Sequence, residues 1–380
     1  MEFNKLIEYG IELQNNGDYN EAICEYNKIL KKYTKLNFID KACINNYLGI
    51  TYNEIGDYKK AEKYYNNAIH LALNHGYQNS IELVNFYNNL GSLFEENGNF
   101  EKSKAAYKDS LSILKKYFKN NNAELSNLYN NIGVLFFKQK KFLISKKYYL
   151  LAIEHLCPED DWKLISTIYN NLGGIYDEKS DYDMALLYFE KSLEIRLSNY
   201  NKNHFEISNS YNNIGSIYRK MNSIDKAKYF YNLALTIRKK NIDYNINGIA
   251  RIYNNLAILY NQEGNWSKSI TMLNRALILI KRKYGNSNIE VFEIRDNLSD
   301  ILIENGLYSE ALINLKVLIK IIENSNKSTN DIVNIKFKIA ICYKNLNKFR
   351  LSISYLKFCY LKKPQKRFLD EINKLNSLLI

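Results

Sequence analysis

The sequence predicts an all-α protein made of tandem helix pairs, and three observations carry that prediction. One small residue recurs along nearly the whole chain at intervals of 39 to 42 residues, at Gly10, Gly49, Gly91, Gly133, Gly173, Gly215, Ala257, Ser299 and Ala340. The 380 residues contain only 15 Gly and 2 Pro, too few for the many tight turns of an all-β chain. Within each unit the apolar residues fall at three- and four-residue spacings, which place them on one face of a helix. A period of this length marks a stacked array, in which each unit buries its apolar face only against its neighbours.

Each unit can be read in order, with the small residue as position 8. The first helix has a large residue at position 7 and, in most units, an aromatic one at position 11, as at Tyr52, Phe94, Phe136 and Tyr176. Position 15 follows: Gly17, Gly56, Gly98, Lys140, Ser180, Asn222, Gly264, Gly306 and Asn347. Gly and Asn there fit a left-handed residue just past a helix C-terminus. An aromatic often comes two residues later, as in GDY, GNF and GNW. The second helix has Ala or Ser at position 20 in all nine units and Tyr, Phe or Leu at position 24. The small residues at positions 8 and 20 let the two backbones approach, and the large ones fill the space around them. After the ninth unit, Pro364 precedes an amphipathic stretch, QKRFLDEINKLNSLLI, which reads as a terminal cap. The expected organisation is nine tandem repeats over residues 1–363 and a C-terminal capping helix over 364–380.

This pattern of small residues at 8 and 20 with aromatics at 11 and 24 resembles the tetratricopeptide repeat family, over about residues 1–361. The period near 42 and the missing proline near position 32 resemble the kinesin light chain variant. Its G-x-x-H-P element survives in degraded form around His204–Phe205 and at Gly285. The resemblance implies a right-handed superhelix whose first helices line a concave groove, and a role in binding a protein or peptide there.

At about 100° per residue, positions 4, 7, 8 and 11 of the first helix share one packed direction, and positions 2, 6, 9 and 13 form the opposite stripe. Position 6 is Asn in six consecutive repeats: Asn89, Asn131, Asn171, Asn213, Asn255 and Asn297. Position 2 adds Asn85, Asn127, Asn209 and Arg251. An amide has two N–H donors and a carbonyl acceptor, which match a peptide main chain without demanding a particular side chain. These ten residues are therefore the candidate ligand-binding set, with stitching of one first helix to the next as the other role open to position 6. The resemblance points the same way. Related receptors and light chains place groove asparagines on ligand backbones, and Asn213 with Arg251 matches part of the carboxylate clamp of chaperone-binding repeats. Position 5, which is Asn88, Asn130, Asn170, Asn212 and Asn254 with Asp296 in repeat 8, lies on the flank and is assigned to structure. Position 13 alternates in sign at Glu96, Lys138, Glu178 and Lys220, which suits ion pairs between repeats, with charge readout of a ligand as the other reading.

Other functions are disfavoured. Net charge is +13, but dense basic runs such as Arg238-Lys239-Lys240 and Lys281-Arg282-Lys283 fall at the ends of second helices, away from the stripe. There they complement the helix dipole, and nucleic acid is not an expected partner. The 55 Asn residues reflect in part a composition biased toward Asn, Lys, Ile and Tyr. The five Cys form no CxxC and fit small core residues in a reducing, cytoplasmic compartment. The N-terminal segment lacks an apolar signal core, and no run of 18 apolar residues would span a membrane. The four His and the Cys residues show no catalytic or metal-ligand spacing, so no enzyme activity and no cofactor are expected. The leading functional expectation is a scaffold or adaptor. The second is a regulatory receptor for a short signalling peptide, similar to the quorum-sensing receptors built on these repeats but without a DNA-binding module ahead of repeat 1.

Overall fold

The computed structural model describes residues 2–33, 36–240, 242–284, 290–323 and 329–378. These residues form nineteen helices, and none of the described residues is in a strand. The chain divides into two compact units, residues 1–192 and 193–380.

The first unit stacks α1 (Glu2–Asn16) and α2 (Tyr19–Lys32), α3 (Phe38–Ile55) and α4 (Tyr58–Asn74), α5 (Ile81–Glu96) and α6 (Phe100–Tyr117), α7 (Asn122–Lys138) and α8 (Phe142–Glu154), then α9 (Trp162–Glu178) with most of α10 (Tyr182–Asn199). The second unit takes the rest of α10, then α11 (Phe205–Lys220) and α12 (Ile224–Lys239), α13 (Ile242–Gln262) and α14 (Trp266–Tyr284), α15 (Glu290–Glu304) and α16 (Tyr308–Glu323), α17 (Thr329–Asn345) and α18 (Phe349–Lys362), and α19 (Lys366–Ser377). The helix pairs follow the register read from the sequence. His204 of the degraded G-x-x-H-P element caps the N-terminus of α11, while Gly285 lies outside the described residues.

The turn inside each pair is set at position 15. All nine residues there are left-handed, the glycines at φ 72° to 85° and Lys140, Ser180, Asn222 and Asn347 at φ 57° to 59°. In every pair the following N–H reaches back to the position-11 carbonyl at 2.8 to 2.9 Å, from Asp18→Leu13 to Lys348→Tyr343. That bond satisfies a carbonyl left open at the helix end.

Inside each pair the close approach is paired by size. In repeats 1 to 6 position 8 is Gly and position 24 is Tyr or Phe. A Cβ added to Gly10, Gly49, Gly91, Gly133, Gly173 or Gly215 would lie 2.9 Å or less from that ring. Repeats 7 to 9 carry the Cβ, as Ala257, Ser299 and Ala340, and their position 24 shrinks to the buried leucines Leu273, Leu315 and Leu356. A second tie recurs at position 20, where Ser145, Ser269 and Ser352 donate to the position-8 carbonyl at 2.7 to 2.8 Å.

Cys342 and Cys359 are buried, and burial pushes both thiols up to about 11. Cys24 and Cys157 are exposed, so the reading of the cysteines as core residues does not extend to them. The last helix, α19, buries Phe368, Ile372 and Leu375 in one cluster with Leu356 and Cys359 of α18. Among the described residues no helix is long and apolar enough to cross a membrane.

Candidate binding face of the first helices

The six position-6 asparagines lie half-buried at the edges of their helices. Five make the same bond, in which Nδ2 donates to the Oδ1 of the position-5 asparagine one repeat earlier. The pairs are Asn89→Asn46 at 2.9 Å, Asn131→Asn88 at 3.0 Å, Asn171→Asn130 at 3.0 Å, Asn255→Asn212 at 2.9 Å and Asn297→Asn254 at 2.8 Å. Sequence reasoning placed positions 5 and 6 in two separate ladders. The structure joins them into one, with position 5 as acceptor and position 6 as donor. Asn46, Asn130, Asn212 and Asn254 are buried, and a buried amide needs such a partner. Each bond uses one of the two N–H groups of the position-6 amide.

A parallel ladder runs about two turns further along the helices, between position 12 and position 13 of the next repeat. Asn53 donates to Glu96 at 3.0 Å, Lys138 pairs with Glu95 at 2.9 Å, and Asn261 donates to Glu304 at 3.0 Å. The expected ion pair between repeats is present at Lys138, whereas Glu96 and Glu304 meet amides. Glu95 is buried, and desolvation raises its carboxyl above the ordinary value despite Lys138 and the Tyr107 hydroxyl. In repeat 9 the position-6 residue is Lys338, whose Nζ contacts Asp296 at 2.6 Å and Asp300 at 2.7 Å. There the amide rung becomes an ionic one.

In the second unit four of the predicted residues converge. Asn209, Asn213, Arg251 and Asn255 line one cavity of about 710 Å³, together with Ser216 and Glu293. Asn209 Oδ1 accepts from Arg251 Nη2 at 2.9 Å and from Arg238 Nη2 at 2.7 Å. Arg238, also in the cavity wall, was missed by sequence reasoning, which left it in a basic run away from the stripe. It is buried at the end of α12, donates from Nε to Ser208 Oγ at 3.1 Å, and crosses the backbone of α13 at Gly248. A Cβ at Gly248 would meet its Nη1 at 2.1 Å. A glycine inside a helix costs about 1 kcal/mol relative to alanine, so this one was the sequence signal for a close approach. Burial and the neighbouring Arg251 both lower the Arg238 pKa from its ordinary value.

The remaining predicted residues lie apart from the cavity lining. Asn297 sits on the next rung in the second unit, and Asn85, Asn89, Asn127, Asn131 and Asn171 belong to the first unit, with Asn127 exposed and the others half-buried.

Sequence models of the tetratricopeptide repeat match residues 164–240 and 248–324, and a second such model matches residues 45–75 and 84–116. The chain belongs to the tetratricopeptide repeat family. Among solved structures, the apo quorum sensor NprR from B. thuringiensis aligns at a TM-score of 0.66 with 16% identity, over 84% of this chain and 87% of that one. The apo form of RapI aligns at 0.48 with 16% identity, over 76% of this chain and 99% of that one. Repeats of a putative kinesin light chain from P. anserina align at 0.46 with 13% identity, over 54% and 96%. At 16% identity the likeness to NprR is one of fold. No curated protein matches this tetratricopeptide repeat protein by sequence.

Proposed function

We propose that this tetratricopeptide repeat protein is a non-enzymatic scaffold or adaptor that holds an extended peptide or protein segment along the exposed edge of its first helices. The observation that carries this reading is the cavity of the second unit, where four residues chosen from the sequence stripe meet around one space. The amide ladder adds a physical reason. A position-6 side chain fixed by its position-5 partner is oriented before a ligand arrives, so less rotamer freedom is lost on binding. Its second N–H and its carbonyl suit a peptide main chain. Asn85, Asn89, Asn127, Asn131, Asn171 and Asn297 extend the same stripe as ligand-binding positions.

The test is selection of peptides from a displayed random library on immobilised protein, followed by titration of the enriched peptides. Ser216→Trp, which fills the cavity from position 9 and gives up the bond to the Tyr231 hydroxyl, should weaken them at least about tenfold while its circular dichroism stays that of the folded protein. Peptides that bind the wild type and S216W equally would place the binding surface elsewhere. The second reading, a regulatory receptor for a short signalling peptide, is favoured by the long alignment with the quorum sensor NprR. Its mark would be a ligand-dependent change in hydrodynamic size.

A further inference from the structure

The cavity of the second unit holds opposite charges that do not meet. Arg251 and Glu293 occupy position 2 of neighbouring first helices, α13 and α15, and both line the space. Among the described residues Arg251 donates only to Asn209 and forms no ion pair, and Glu293 is exposed without one. Arg251 is held off Glu293 by a tie in the other direction, toward Asn209, which it shares with Arg238. Two guanidiniums therefore share one neutral oxygen at one wall, with the Arg196-paired carboxylate of Glu206 acting on both from further off, and the Glu293 carboxylate stands at the other. The rung Asn255→Asn212 lines the same space.

We infer that this cavity selects an extended segment with an acidic and a basic side chain on alternate residues, the acid seated on Arg251 and the base on Glu293. This rests on the proposed peptide-binding role and adds its specificity. Side chains two residues apart on an extended chain leave the same face and stand about 7 Å apart, so one segment can address both walls. A carboxylate accepts paired N–H bonds from guanidinium, stronger than neutral ones. Each wall also repels the wrong sign, so the pair discriminates by penalty as well as by attraction. The alternative, that Arg238 and Arg251 only fasten α12 and α13 to Asn209, predicts no charge preference.

The experiment uses the full chain and fluorescein-labelled nonapeptides of alternating serine and valine, acetylated and amidated so that the termini are uncharged. One series carries glutamate at the fifth place and lysine at the seventh, a second the reverse order, a third lysine at both, a fourth glutamate at both, and a fifth neither. Anisotropy titration should show one mixed-charge order binding about tenfold more tightly than the neutral peptide. The double reversal Arg251→Glu with Glu293→Arg leaves net charge unchanged and should transfer the preference to the other order. Arg251→Gln should reduce discrimination for the acid alone, and Glu293→Gln for the base alone. Equal binding of neutral and mixed peptides, or a preference that the double reversal leaves in place, overturns this inference and leaves the peptide-binding role standing. Binding by none of the five overturns that role, and the inference with it.

Discussion

Repeats 1 to 6 and repeats 7 to 9 meet the same packing demand with different residue pairs. The early repeats oppose a glycine with an aromatic ring, and the late ones oppose Ala or Ser with a leucine. The total volume between the two helices is thus shared in two ways. The lesson is that neither position has a fixed residue by itself. The ring demands the missing Cβ, and the Cβ demands the smaller partner, as close packing requires.

The largest expected effect breaks that coupling. Gly133→Ala should destabilise by about 2 kcal/mol, because the new methyl meets the Tyr149 ring and overpacking exceeds the gain in helix propensity. Adding Tyr149→Leu should recover much of the loss, so a urea-melt double-mutant cycle should show a coupling of 1 kcal/mol or more in magnitude, about the range for residues in contact. Additive losses would mean that the two positions are independent. Ala257→Gly, the same position in repeat 7, should cost about 1 kcal/mol, with no ring to relieve.

The ladder extends the comparison from packing to polar groups. Lys338→Met should cost about 1 to 3 kcal/mol, since it leaves Asp296 and Asp300 facing each other, and the loss should shrink as salt is added. Asn131→Ala removes a neutral rung and should cost about 1 kcal/mol at any salt concentration. A strong salt dependence for Asn131→Ala would contradict the assignment of that rung as neutral. The smallest expected effect is a gain. Ser180 is left-handed, so Ser180→Gly should stabilise by up to about 1 kcal/mol, whereas Gly98→Ala should destabilise. Thermal melts of the two variants, read side by side, check both signs.

Much of this was legible in the sequence because a period repeats every constraint nine times. The left-handed turn and the small residues at positions 8 and 20 follow from the pattern inside one repeat. The link between positions 5 and 6 does not. A helical wheel gives the angle of Asn130 and Asn171 on their own helices but not the offset between neighbours, and the observed bond joins residues 41 apart here and 43 apart elsewhere. Arg238 escaped for a related reason. Its helix was assigned to the far side, and a long side chain reached past that assignment across the one helix-interior glycine placed to let it through. The division at residue 192 also left no trace, because the repeat pattern runs through α10 without interruption.

The amide ladder makes each repeat a link with a hook and an eye. A unit copied whole from the middle of the array would arrive with a donor for the repeat before it and an acceptor for the repeat after it, so duplication could lengthen the chain without stranding an amide. The first acceptor is Asn46 and the last is Asn254, and repeat 9 carries Phe337 where another acceptor would stand. That phenylalanine packs instead on Phe368 of α19. Growth by copying is therefore open within the array and closed at repeat 9, where the link has no eye.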